Sequence, residues 1–217
     1  MTDLSIDSGD TAWMLISTAL VLFMTPGLAF FYGGMVQAKN SVSTIFQNLV
    51  SMAVVALLWT ICGYSLVFSG DLGGFIGNLD WAFLNGIGIG PNADYSPSFP
   101  HILFVMFQAT FAVITPALIT GAFAERIRFK AWITMMALWS ILVYCPVAHW
   151  VWGPNGWIAN LGGLDFAGGL VVHMTSGFSA LTAALMLGKR KDFGKTSHTY
   201  NVPLILLGTA MVWLVRL

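Results

Sequence analysis

Residues 165–188, DFAGGLVVHMTSGFSALTAALMLG, decide the fold, because this apolar stretch is long enough to cross a bilayer and carries an acid and a histidine. An ionisable side chain at membrane depth is costly unless it faces a cavity or a partner, so His173 is the first functional candidate. Gly169, His173 and Gly177 recur every four residues and lie on one helix face, where the glycines let a backbone or a small solute approach the imidazole. We therefore expect a narrow passage beside His173.

The composition indicates a membrane protein. Of the 217 residues, 57% are hydrophobic and 8% are charged, whereas an ordinary soluble domain has about 25% charged residues. The formal net charge is zero and the basic residues form no patch, so we expect no nucleic-acid role. Cys62 and Cys145 lie in separate apolar segments and are interpreted as packing residues. No basic residue precedes Lys39, which argues against a cleaved signal peptide and predicts a retained first span.

Five apolar runs each approach or exceed the ~20 residues that a bilayer core demands. We predict an all-α polytopic transmembrane helix bundle, forming a single membrane domain with five full spans and a truncated sixth. The predicted spans cover about residues 11–34, 45–69, 100–124, 131–150 and 166–188, and the sixth runs from about 203 to 217.

Charge alternates between the connections and predicts the orientation of the bundle. The basic residues follow the first, third and fifth spans, whereas the other connections hold acids and no lysine or arginine. The basic residues are Lys39, Arg126, Arg128, Lys130, Lys189, Arg190, Lys191 and Lys195, and the acids are Asp71, Asp80, Asp94 and Asp165. The positive-inside rule then places the amino terminus outside and makes residues 70–98 an outer surface loop.

Aromatic residues gather near the outer ends of the third and fourth predicted spans. They are Phe104, Phe107 and Phe111, and Trp150, Trp152 and Trp157. We expect the phenylalanines to line up along the third span and the tryptophans to cluster at the outer mouth. Aromatic faces near an acid would attract a small cation. An interfacial aromatic belt is the alternative, and it is favoured when the pattern is considered alone.

Asp165 and His173 have two interpretations each. Asp165 caps the fifth span or contacts a cation directly. His173 lies roughly 12 Å deeper, and its alternative is a buried histidine bonded to a neighbouring helix. We expect His149 to be a structural or interfacial residue, and His101 and His198 to lie in loops.

Five segments carry a resemblance to the ammonium transporter (Amt/Mep/Rh) family. They are FYGGMVQAKN (31–40), FQATFAVITPALITGAFAERIRF (107–129), PVAHWVWG (146–153), LDFAGGLVVHMTSG (164–177) and VPLILLGTAMVW (202–213). Trp152 resembles the Amt and Mep branch more than the Rh branch.

The resemblance implies roles for individual residues. The outer recruitment site for ammonium corresponds to Trp152 and Phe111, and the structural acid of the fifth helix to Asp165. The gate and pore residues correspond to Phe111, Phe107 and His173, with Phe107 as a wall residue and His173 as the first of two pore histidines.

The resemblance also implies an eleven-helix, homotrimeric, channel-like transporter of the cell membrane, with no cofactor and two halves related by an inverted pseudo-twofold axis. A cytoplasmic P-II signalling protein binds many bacterial members. The second pore histidine and the second half would follow Trp213 and are absent from the sequence, and Arg216 lies at an expensive depth in the last apolar run. We therefore expect the chain to be a fragment.

Energetics favour deprotonation of ammonium before it crosses. Moving a bare ion into a medium of low dielectric costs tens of kcal/mol on the idealised estimate. Removing a proton from an amine with a lysine-like pKa costs only about 4 to 5 kcal/mol at pH 7. Neutral ammonia would then pass His173, whose ring offers one donor and one acceptor. Potassium has no proton to lose, so the same step gives selectivity.

Two other functions are consistent with these residues. The first is an ammonium sensor of the same family. The second is a redox protein in which His149 and His173 ligate haem, which requires both rings at one depth although His149 lies at the end of its span. An intramembrane enzyme has less support, because no serine, histidine and acid recur at catalytic spacing.

Overall fold

The computed structural model describes residues 4–190, 193–194 and 199–215. Within these residues the fold is helical, and two isolated β-bridges, Leu72 with Ile76 and Asn92 with Ser96, are its only extended pairing. The main helices are α1 (Ser8–Met35), α2 (Ala38–Phe68), α3 (His101–Phe123), α4 (129–152), α5 (Trp157–Asn160), α6 (Gly169–Leu187) and α7 (Val202–Leu214). Four residues named in the sequence analysis lie outside the described residues: Lys191, Lys195, His198 and Arg216.

Five helical segments are long and apolar enough to cross a membrane, which confirms the predicted all-α bundle of spans. They are Ser8–Met35, Ala38–Phe68, His101–Phe123, Phe129–Asn160 and Gly169–Leu187. Helix α7 is a shorter apolar helix at the position of the predicted sixth span.

Two helices begin before their apolar runs. Helix α1 starts at Ser8 because the Asp7 carboxylate caps it, accepting a hydrogen bond of 2.8 Å from the Asp10 amide. Helix α2 starts at Ala38 rather than near residue 45, and its first turns bury polar side chains including Ser41 and Thr44. Hydropathy alone missed this start because these small polar residues pack between helices.

Helix α1 packs against α2, α3 and α7, and its contact with α7 depends on glycine. A Cβ atom added at Gly208 would overlap the Gly27 carbonyl oxygen and the Phe31 amide nitrogen. A Cβ atom at Gly34 would lie 2.8 Å from the Asn201 carbonyl oxygen. The two backbones therefore approach as closely as glycine allows, as in other membrane helix pairs with small residues at the crossing.

Three spans contain a wide turn of π-helix: Trp59–Gly63 in α2, Ser140–Tyr144 in α4 and Gly169–Met174 in α6. Residues from all three turns, Trp59, Tyr144 and Val171, are buried in one hydrophobic cluster. The Trp59 and Tyr144 rings lie 6.3 Å apart within it. Such turns frequently occur at functional sites, and the last of these contains His173.

The two ends of the bundle differ in charge. We call the end with Asp71, Asp80, Asp94 and Asp165 the acidic end, and the end with Lys39, Arg126, Arg128, Lys130, Lys189 and Arg190 the basic end. Connection 69–100 folds back onto the helices of the acidic end, where the Tyr95 hydroxyl donates to the Phe68 carbonyl oxygen at 3.0 Å. Burial, together with the neighbouring Asp94 charge, raises the pKa of Tyr95.

At the basic end, Glu125 and Arg126 link the start of α2 to the ends of α3 and α6. The Glu125 carboxylate accepts hydrogen bonds from the Gln37 amide nitrogen at 2.9 Å and from Asn40 Nδ2 at 3.0 Å. The Arg126 guanidinium donates to the carbonyl oxygens of Gly188, at 2.5 Å, and of Ala122. Carbonyl groups left free at the ends of α3 and α6 thereby gain a donor.

Candidate functional site

Asp165 caps the amino-terminal end of α6. Its Oδ1 atom accepts a hydrogen bond from the Gly169 amide at 2.7 Å, and its Oδ2 atom accepts from the Leu170 and Val171 amides, each at 2.9 Å. The turn between them needs Gly168, whose φ is +80° and whose added Cβ would meet Val172 Cγ2 at 2.5 Å. Both carboxylate oxygens thus serve the backbone, which is the capping arrangement.

Trp152 is held at the site by the same loop. At the end of α4, its indole Nε1 donates to the Asp165 carbonyl oxygen at 2.8 Å. Its ring meets Phe111 of α3 at a centroid distance of 6.0 Å and an angle of 65°. One hydrogen bond and one ring contact therefore fix the indole between α3 and the start of α6.

Phe107 extends this aromatic row along α3. The Phe107 and Phe111 rings lie 5.0 Å apart and nearly perpendicular, at 83°. Phe111 and Trp152 also pack against a second hydrophobic cluster that contains Leu28 and Val172. The structure thus brings Phe107, Phe111 and Trp152 together, next to the residue that precedes His173.

His173 lies in the wide turn of α6, where its amide donates to the Gly168 carbonyl oxygen at 2.9 Å. Its side chain is exposed, and among the residues described by the structure its ring has no hydrogen-bond or ion-pair partner. The described helices therefore do not enclose it, unlike Val172 beside it, which is buried. The alternative of a buried histidine bonded to a neighbouring helix is not the observed arrangement.

The structure separates residues that the sequence grouped. Trp150 and Trp157 pair at 5.8 Å away from Phe111, and the Trp150 indole donates to the Phe75 carbonyl oxygen at 2.8 Å. Phe104 leaves the row along α3 and packs 5.3 Å from Tyr95. Only Trp152 of the three tryptophans touches the row, because its neighbours point towards the surface connections.

Two histidines at the acidic end are buried and hydrogen-bonded. His149 is completely buried, with Nδ1 2.8 Å from the Val67 carbonyl oxygen and Nε2 3.2 Å from Asp71 Oδ1. This supports a structural role and leaves neither ring nitrogen available to a haem iron. The expectation that His101 lies in a loop is wrong: it begins α3, is buried, and contacts the Tyr64 hydroxyl at 2.6 Å.

Residues 12–215 match the family model described as Ammonium Transporter Family. The chain belongs to the ammonium transporter family. It is 53% identical to an ammonium transporter of Bacillus subtilis over 205 residues, which cover 94% of this chain and 50% of that protein.

Solved structures of the family share the architecture. The crystal structure of Candida albicans Mep2 superposes with a TM-score of 0.87 at 38% identity, covering 97% of this chain and 47% of that one. A structure described as a sensor Amt protein superposes with a TM-score of 0.84 at 32% identity, covering 94% of this chain and 52% of that one. The chain spans about half the length of the ammonium transporters it matches.

Proposed function

We propose that the protein transports ammonium across a membrane by binding the cation at Trp152 and Phe111 and passing ammonia beside His173. The proposal rests on the row of aromatic rings formed by Phe107, Phe111 and Trp152. The hydrogen bond from the Trp152 indole to the Asp165 carbonyl oxygen holds the end of this row in place. The row is a fixed, mostly apolar surface with one cation-attracting indole face. Transport by relatives of this chain is consistent with that surface.

The first step is recruitment of the cation by the aromatic faces. An ammonium ion over a tryptophan ring gains about 0.5 to 2 kcal/mol, more when water is excluded. Asp165 holds the geometry of the loop and does not contact the cation directly, because backbone amides occupy both of its carboxylate oxygens. Recruitment therefore rests on Trp152 and Phe111.

The second step is transfer of one proton from ammonium to water near the phenylalanines, which leaves neutral ammonia to enter the path and a hydronium ion on the outer side. Phe107 and Phe111 offer no acceptor that replaces the hydration shell of an ion, so a bare cation is held back here. Ammonia is uncharged and avoids most of this penalty. His173, exposed on α6 in the described chain, then accepts or donates a hydrogen bond as ammonia passes.

We infer the setting of this path from the charge of the two ends. The acidic end faces outside and the basic end faces the cytoplasm, which places the amino terminus outside the cell membrane. By analogy with the family, three copies would assemble with one path each, and a P-II protein would bind the basic end. Transport is favoured over sensing, because the match to the sensor Amt structure is weaker, at 32% identity, than that to Mep2, at 38%.

The test is uptake of labelled methylammonium by cells that lack other ammonium transporters. Trp152→Ala should raise the apparent KM about 2- to 30-fold, the range expected when a cation–π contact is lost. The control is Trp157→Ala, which removes an indole from the same end that contacts Trp150 instead of Phe111. Equal KM values for both variants, or no uptake by the unmodified protein, would contradict the proposal.

A further inference from the structure

His149 joins three parts of the acidic end at one buried ring. The ring belongs to α4, the Val67 carbonyl oxygen belongs to α2, and Asp71 begins the connection after α2. Exposure of the His149 side chain is 0%, and that of Asp71 is 21%. Asp71 Oδ1 also accepts a hydrogen bond of 2.7 Å from the Gly74 amide, which fixes the carboxylate within its own loop.

Both nitrogens of the His149 ring face oxygen atoms, and this limits where protons can lie. A carbonyl oxygen only accepts, so Nδ1 must carry a hydrogen to bond Val67. An ionised carboxylate also only accepts, so Nε2 must carry a second hydrogen to bond Asp71. A neutral imidazole has only one such hydrogen. With Nδ1 bonded to Val67, the contact between Nε2 and Asp71 Oδ1 therefore needs one proton more than a neutral ring and an ionised carboxylate together provide.

The pair lies one helical turn from Trp152. The Gly153 amide donates to the His149 carbonyl oxygen at 2.9 Å, which ends α4 directly after Trp152. A Cβ atom on Gly153 would overlap His149 Nδ1 and lie 2.5 Å from the Val67 carbonyl oxygen. The backbone directly after Trp152 thus packs against the bonded His149 ring. A shift of this ring would therefore move the backbone that carries the Trp152 indole.

We propose that His149 and Asp71, held as a buried ion pair, are positioning residues that fix Trp152 against Phe111. The expected effect on transport rests on the proposed function, whereas the proton on the His149 ring does not. A buried pair that loses one partner is strongly destabilised, because the remaining charge has no counterion. Loss of Asp71 would therefore neutralise His149 and release the end of α4.

Three variants separate position from charge. Asp71→Ala removes the acceptor of Nε2. Asp71→Asn restores a hydrogen bond without the charge, because its amide donates to the Nε2 lone pair of a neutral ring. Asp94→Ala is the matched control: it removes a carboxylate from the same connection, at a residue without a hydrogen bond to α4 among the described residues.

Two measurements on the purified protein in lipid nanodiscs do not depend on transport. Nitrogen-15 NMR should show both His149 ring nitrogens protonated in the unmodified protein and one in Asp71→Asn. The Trp152 indole N–H resonance, set by its bond to Asp165, should move in Asp71→Ala and remain unchanged in Asp94→Ala and nearly so in Asp71→Asn. A singly protonated ring in the unmodified protein, or an indole signal unaffected by Asp71→Ala, would overturn the inference.

The KM for methylammonium uptake then measures the effect of the His149 and Asp71 pair on binding of the cation. Asp71→Ala should raise the KM for methylammonium about tenfold, the effect of losing one hydrogen bond to a charged group, with little change in maximal rate. Asp71→Asn should lie within about twofold of the unmodified protein if position is what matters. Equal KM values for Asp71→Ala and Asp94→Ala would overturn the positioning role. If the unmodified protein transports nothing, the proposed function fails while the NMR measurements still decide the pair.

Discussion

At the scale of the residue, the polar groups of the site mostly bind protein rather than solute. Asp165 accepts three backbone amides, and the Trp152 indole donates to a backbone carbonyl. Such bonds fix geometry, because a carboxylate with several amide donors has little freedom to reorient. The His173 ring differs from both groups, because it is exposed and has no hydrogen-bond partner among the described residues.

The capping role of Asp165 predicts a graded loss of stability. Asp165→Ala removes all three acceptor contacts and should lower the free energy of unfolding by about 2 to 3 kcal/mol. Asp165→Asn keeps one amide oxygen and should lose roughly half as much. Thermal unfolding in detergent gives the measurement, and Asp10→Ala, an acid in the first turn of α1, is the control. Equal losses for Asp10→Ala and Asp165→Ala would argue against the cap.

At the scale of the element, hydropathy predicted the helices but not their interiors. The long apolar runs identified each span because a bilayer demands length and apolarity together. The wide turn that contains His173 was not predicted, because a change from the i to i+4 pattern depends on packing against other helices. The His149 contact with Asp71 was missed because its partners lie 78 residues apart.

The crossing of α1 and α7 gives a prediction at this scale. Gly208→Ala forces a methyl group onto the Gly27 carbonyl oxygen and the Phe31 backbone, so it should destabilise the protein by about 1 to 3 kcal/mol. Gly177→Ala is the matched control in α6, where nothing lies within 4 Å of the added Cβ. There the better helix propensity of alanine should stabilise by up to about 1 kcal/mol. Opposite shifts of the unfolding temperature are expected, and shifts of the same sign would refute the close crossing.

At the scale of the whole molecule, sequence motifs were enough to identify the family, whereas the surroundings of the proposed site residues were not predictable from them. The segments around Phe111, Trp152 and Asp165 carried the family resemblance, which the family match confirms. Their sequence could not distinguish a cap from a cation ligand at Asp165, because both need the same carboxylate. Similarly, the aromatic pattern alone grouped the three tryptophans, whereas the contacts of Trp150 and Trp157 separate them from Phe111.

Selectivity for ammonium over potassium depends on the whole proposed path, including His173. If ammonium loses its proton before His173, then His173→Ala should change the flux of methylammonium or the discrimination against potassium, because the ring no longer offers a donor and an acceptor there. Proteoliposomes with opposed methylammonium and potassium gradients measure both quantities. Thr182→Ala on the same helix is the control, since its hydroxyl donates to the Phe178 carbonyl oxygen of α6 itself. Unchanged flux and unchanged discrimination in His173→Ala would remove the histidine from the path, and the aromatic row alone would then have to exclude potassium.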